Sequence, residues 1–165
     1  MITSTERGSL TVIAGRLGVP FQDLYDLINF ESGFNPQAKN INSSARGLIQ
    51  FTDKTAVSLG YKNSADLVNK NPTIIDQLPI VERYLMQFMP FPSRQSLFMA
   101  VFYPAARAWP ITAEFPQFVL DSNPGIRTIA DYMKKTSKGG DVLYSSLPLI
   151  AVGLIVFLLF KKGIL

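Results

Sequence analysis

The chain has no cysteine and no histidine among its 165 residues. The missing cysteine excludes disulfides, thiol nucleophiles and cysteine-ligated zinc. The missing histidine excludes a Ser-His-Asp triad, a Cys-His pair and the usual catalytic zinc site. Acid–base chemistry must therefore run on Asp, Glu, Lys or Tyr, and neither a metal nor a cofactor is expected. Charge is also modest, with a net +4 and a pI near 9.4. A mild basic excess suits an acidic partner such as a cell wall or an anionic lipid surface. The basic residues are scattered from Arg7 to Lys162 without a long cluster, so no nucleic-acid partner is expected. The polar start, with Glu6 beside Arg7, has no apolar core behind it, and no cleaved secretory signal is expected.

There is no alternating strand pattern and no internal repeat. Helical spacing is plentiful instead. Leu10, Ile13, Ala14 and Leu17 mark a helix from near Ser9 that stops at Gly18. Phe21, Leu24, Leu27 and Ile28 mark one face of the next, with Pro20 at a first helical position and Ser32-Gly33 as its end. Residues 34–45, rich in Asn, Ser and Pro, read as an irregular loop. Shorter helices follow from Thr52-Asp53 and from a cap at Ser64. A longer one starts at Asn71-Pro72, with Pro79 expected to kink or break it. Another is capped by Ser93, and Asp121 to Gly125 reads as a turn. A last amphipathic helix carries Ile126, Ile129, Tyr132 and Met133. The fold class expected is mainly α, over residues 1–138. A glycine-jointed linker, 139–146, leads to an apolar run at 147–160 and a short tail at 161–165. With its flanks the run extends over about 142–162, roughly the span of a bilayer core, between Tyr144 and Lys161-Lys162. A single C-terminal transmembrane helix, bound in a lipid bilayer, is expected there; a buried core helix is the competing reading.

Glu31 is the residue to examine first. It lies three, four and seven residues after Ile28, Leu27 and Leu24, on the apolar face at the C-terminal end of its helix. Partial burial and the negative end of the helix both disfavour the carboxylate. A carboxyl still protonated near neutral pH can protonate a glycosidic oxygen. Pairing with Arg46 or Lys39 would reverse this. The competing reading is a solvated glutamate at a helix end.

The segment Glu31-Ser32-Gly33-Phe34-Asn35-Pro36, followed by Ala45-Arg46-Gly47-Leu48-Ile49-Gln50-Phe51, strongly resembles the goose-lysozyme-like (SLT-type) lytic transglycosylases. The first 136 residues fit the order of that family's motifs. The resemblance implies a helical lysozyme-like domain with a groove for peptidoglycan glycan strands. It also implies a catalytic glutamate at Glu31, which protonates the bond between N-acetylmuramic acid and N-acetylglucosamine. The same residue then takes the proton of the muramoyl C6 hydroxyl, giving a 1,6-anhydro product. Carried over with it are Ser32, which orients the glutamate, and Gly47 and Gln50, which line the groove. Tyr103 matches the tyrosine of an Ala-Tyr-Asn motif, here Phe102-Tyr103-Pro104, and Tyr132 the late tyrosine of the closing helix. Proline in place of the Asn departs from the pattern, and is similar to certain phage-borne members. Asp53 and Glu114 are weaker candidates for a second carboxylate, and Trp109 for stacking on sugar.

The leading expectation is therefore a membrane-anchored lytic transglycosylase. A glycan-binding structural or delivery protein of a viral membrane, and a hydrolytic lysozyme of the same fold, are the alternatives. Lys134, Lys135 and Lys138 precede the apolar run, against Lys161 and Lys162 beyond it. That balance favours a domain on the cytoplasmic side. It fits a phage protein kept in the internal membrane of a virion, beside other virion membrane proteins, and brought to the wall from outside. A tail-anchored lysis protein of the host cell membrane is the competing placement.

Overall fold

A computed structural model describes residues 2–137. Eight α-helices occur among them: α1 Ser4–Leu17, α2 Phe21–Ser32, α3 Asp53–Ser58, α4 Ser64–Lys70, α5 Ile74–Met86, α6 Arg94–Phe102, α7 Gln117–Ser122 and α8 Ile129–Thr136. A single 3-10 turn, Pro104–Ala106, follows α6. Extended pairing among the described residues is confined to isolated bridges, Lys39 with Arg46, Arg46 with Phe51 and Glu114 with Thr128. The domain is mainly α, as expected.

Local chemistry explains the helix ends. α1 begins earlier than its apolar spacing suggests, because Thr3 and Glu6 close a capping box. Gly18 ends it in the left-handed conformation. Pro20 is the N-cap of α2 rather than its first residue. Asn63, not Ser64, caps α4: its side chain accepts the N–H of Asp66. Capping boxes at Thr73 and Thr128 start α5 and α8. Pro79 does not break α5, since it sits on the exposed face. The carbonyl it leaves unpaired, that of the exposed Ile75, can turn to water. α7 has no sequence signature beyond Pro116 before it, and its last two residues, Asp121 and Ser122, fall in the stretch expected to be a turn.

α2 is the axis of the domain. It packs against α1, α6 and α8, while α1 packs in turn on α5. Its face of Leu24, Leu27 and Ile28 is fully buried, and Glu31 continues that stripe into the interior. Arg94 of α6 ties the other side, pairing with Asp23 at 2.7 Å and Asp26 at 2.9 Å. These partly buried pairs fix α6 along α2, which places α6 and the turn after it beside the end of α2.

The expected transmembrane helix is corrected. Among the described residues no helix is long and apolar enough to cross a membrane. The longest, α1, has 14 residues and carries exposed polar side chains along one face, against the roughly 20 apolar residues that a bilayer requires. The run at 147–160 from which the span was read lies outside the described residues, as do Lys138, the linker 139–146 and the tail 161–165.

Candidate active site

Glu31 is the penultimate residue of α2 and is buried, with 8% of its surface exposed. Burial pushes its carboxyl up from 4.5 to about 8, opposed by the Tyr132 phenol, which lowers it. No cation contributes to the shift, so neither Arg46 nor Lys39 holds the group ionised. A carboxylic acid in this setting keeps its proton at neutral pH and can give it to a leaving oxygen.

Two tyrosines stand near this carboxyl. Tyr132, on α8, is completely buried, and Glu31 adds to the burial that raises its own phenol. Its ring lies between the stacked ring of Phe102 at 4.1 Å and the edge of Phe30 at 5.7 Å. The phenol faces Glu31 closely enough to favour the carboxylate, yet reaches full hydrogen-bond geometry with no group among the described residues. Tyr84 of α5 is also raised, first by burial and then by the Glu31 charge. Its hydroxyl donates to the Ala100 carbonyl at 2.8 Å, so it serves as wall rather than as partner.

Ser32 does not reach towards the Glu31 carboxyl. Its hydroxyl donates to the Leu48 carbonyl at 2.8 Å and, more weakly, to that of Ile28 at 3.3 Å. Its part in orienting the acid is indirect: it ties the end of α2 to the turn that holds Gly47 and Gln50. That turn is a tight hairpin. Arg46 and Phe51 exchange backbone hydrogen bonds of 3.0 and 2.7 Å. Gly47 takes a φ of 77°, and Gln50 takes 54°, a left-handed conformation uncommon for a residue with a side chain. The Gln50 amide donates to the Gly47 carbonyl at 3.0 Å. Gly47 is needed for space as well as for its backbone angle, because a Cβ there would stand 2.6 Å from the Gln77 side-chain oxygen.

Tyr103, at the end of α6 next to the Phe102 that stacks on Tyr132, packs in an aromatic group with Trp109, Phe115 and Phe118 at 5.7–6.2 Å. Pro104 opens the 3-10 turn behind it. Trp109 packs there too, half-buried against the core. The other carboxylates are committed. Asp53 accepts both the N–H and the hydroxyl of Ser64, at 2.9 and 2.6 Å. Glu114 is exposed and pairs with Arg127 at 3.0 Å, on the rim of a cleft of about 340 Å³ formed with Gln117 and Asn123.

Gln77 escapes sequence reasoning because a glutamine in an amphipathic helix reads as solvent-facing. The available signal is its register: it precedes Val81 by four residues and Tyr84 by seven, on the core stripe of α5.

Residues 11–76 match the family model described as the transglycosylase SLT domain. This segment is a transglycosylase SLT domain. Such domains belong to lytic transglycosylases acting on peptidoglycan, so the enzyme class and the glycan-strand partner follow. The SLT domain takes in Glu31, Ser32, Gly47 and Gln50, whereas Tyr103 and Tyr132 lie beyond its matched end. No curated protein and no solved structure matches the chain.

Proposed function

We propose that Glu31 is the catalytic acid of this SLT domain, and that it cleaves the bond between N-acetylmuramic acid and N-acetylglucosamine. The observation that carries the reading is a buried carboxyl with a pKa near 8, facing a buried phenol. Glu31 gives its proton to the glycosidic oxygen as the bond from that oxygen to the muramoyl C1 breaks. The resulting carboxylate, favoured by the Tyr132 phenol, takes the proton of the C6 hydroxyl as O6 closes on C1. Glu31 is thereby reprotonated, the anhydro sugar forms and no water is consumed. With Asp53 and Glu114 held elsewhere, a single acid acting in both steps suits this site better than a pair of carboxylates. Gln50 and Gly47 supply the groove wall, Gln50 through an amide that can donate to and accept from a sugar acetamido group.

Digestion of purified peptidoglycan, with mass analysis of the released fragments, tests this. Anhydro termini are expected. Reducing termini would assign hydrolysis instead, and a lack of release together with retention on glycan would assign binding alone.

We further propose that the enzyme opens the wall from a phage particle as it infects. Proline at position 104 in place of the motif Asn, similar to phage-borne members, supports this. Detection of the chain in purified particles is expected; its presence only in lysing cells would assign it to release.

A further inference from the structure

We propose that Gln77 is a positioning residue of this site, whose buried carboxamide sets the Gly47–Gln50 turn against Glu31. The proposal rests on the reading of Glu31 as acid and Gln50 as groove wall. Gln77 is fully buried on α5. Its side-chain oxygen accepts the N–H of Leu48 at 2.9 Å. Its amide nitrogen donates to the carbonyls of Pro36 and Asn71, each at 2.8 Å. Both hydrogens and one face of the oxygen are thus used.

The Leu48 peptide is held at both ends as a result. Gln77 holds its N–H, and the Ser32 hydroxyl holds its carbonyl at 2.8 Å. Ser32 is bonded to Glu31, and Leu48 lies between Gly47 and Gln50. The Pro36 contact brings the chain leaving the catalytic helix onto the same carboxamide. Three backbone segments that are separate in sequence therefore meet on one side chain, and two of them carry the site.

The residue type matters as well as its size. An apolar side chain would fill the space but leave a buried N–H and two buried carbonyls without this partner. A carboxylate could accept from Leu48, yet it would present charge to the Pro36 and Asn71 carbonyls with no hydrogen to give them. When protonated, the same side chain keeps the acceptor and regains one donor.

The test uses the full chain as wild type, Gln77→Glu, Gln77→Met and Glu31→Gln. kcat and KM on purified peptidoglycan are measured from pH 5 to pH 9, relative to wild type at each pH, with the folded fraction followed by circular dichroism. Gln77→Glu is expected within about tenfold of wild type at pH 5, where the introduced acid carries its proton. As it ionises, kcat/KM should fall on the order of a hundredfold with the chain still folded, the scale of a misplacement of about 1 Å. Gln77→Met should lack the recovery at low pH. A Gln77→Glu profile that tracks wild type throughout, or a loss that only follows the unfolded fraction, would overturn the positioning role. An active Glu31→Gln would instead overturn the reading of the site on which the proposal rests.

Discussion

The Tyr132 phenol and the Glu31 carboxyl face each other in the interior, one from α8 and the other from the end of α2, and neither has a charged partner there. Keeping Glu31 buried is costly once the unfolded chain can ionise it. Its folded pKa is raised, so its contribution to stability is complete below about 4.5 and is lost as pH rises towards about 8. A shift from 4.5 to about 8 corresponds to roughly 5 kcal/mol at most, at about 1.4 kcal/mol per pH unit. Glu31→Gln removes that cost together with the proton donor. The variant should therefore lose about 10²–10⁴-fold in turnover, yet melt higher than wild type at pH 8. Muropeptide release and thermal unfolding at pH 5 and pH 8 check the two halves separately. Turnover above a few per cent of wild type would end the assignment.

The pH profile of kcat/KM should fall on its alkaline side near pH 8, where the acid loses its proton. Tyr132 lowers the Glu31 pKa, so Tyr132→Phe should move that limb to higher pH. Turnover should fall by about tenfold, or ~1.4 kcal/mol, because the carboxylate needed in the second step loses its phenol. Stability should not suffer, since the hydroxyl removed is buried without a full hydrogen bond. A limb that moves to lower pH, or stays in place, would show that the phenol does not act on Glu31.

Apolar spacing alone placed α2, and it put Glu31 on the buried stripe, because one face of a helix is visible as residues three and four apart. The raised pKa followed from the same register. The capped start of α1 was equally present as Thr3 and Glu6, though the polar composition there obscured it. Local pattern does not reveal contacts between distant segments. Ser32 bonds across 16 residues to Leu48 and Gln77 across 41 to Pro36, and neither separation has a periodic signature. The stacking of Phe102 on Tyr132 belongs to the same class. Tyr103 was legible as a motif residue, but its place among Trp109, Phe115 and Phe118 depends on how α7 folds back.

Gln50 combines a left-handed backbone with a side chain turned onto its own hairpin. Gln50→Ala keeps the backbone strain, whereas Gln50→Gly relieves about 1 kcal/mol of it. Both should weaken glycan binding by about 1–3 kcal/mol through lost hydrogen bonds, and the glycine variant should be the more stable. Titration of soluble glycan strands onto each variant in the non-cleaving Glu31→Gln background gives the binding change directly. Unaltered affinity in both would place Gln50 outside the groove.

Gly47→Ala offers the sharpest contrast because Gly18 supplies a matched control. Both glycines are left-handed, at φ of 77° and 66°, so alanine costs about 1–2 kcal/mol of backbone strain at either. Their surroundings differ. A Cβ at position 18 meets nothing within 4 Å, whereas at position 47 it meets the Gln77 side-chain oxygen at 2.6 Å and a Val68 methyl at 3.3 Å. A free glutamine would swing aside at little cost. This one is fixed by three hydrogen bonds in a fully buried place, so making room breaks the bond to the Leu48 N–H. The extra destabilisation of Gly47→Ala over Gly18→Ala should be about 1–3 kcal/mol, the cost of leaving that buried donor unpaired. Denaturant unfolding of the two variants measures it. Activity should separate them as well: Gly18→Ala, at the far end of α1, should keep wild-type kcat/KM under conditions where it is folded, while Gly47→Ala should not. Equal destabilisation with equal activity would mean that the Gln77 carboxamide moves freely, and that the turn carrying Gln50 is not held by it.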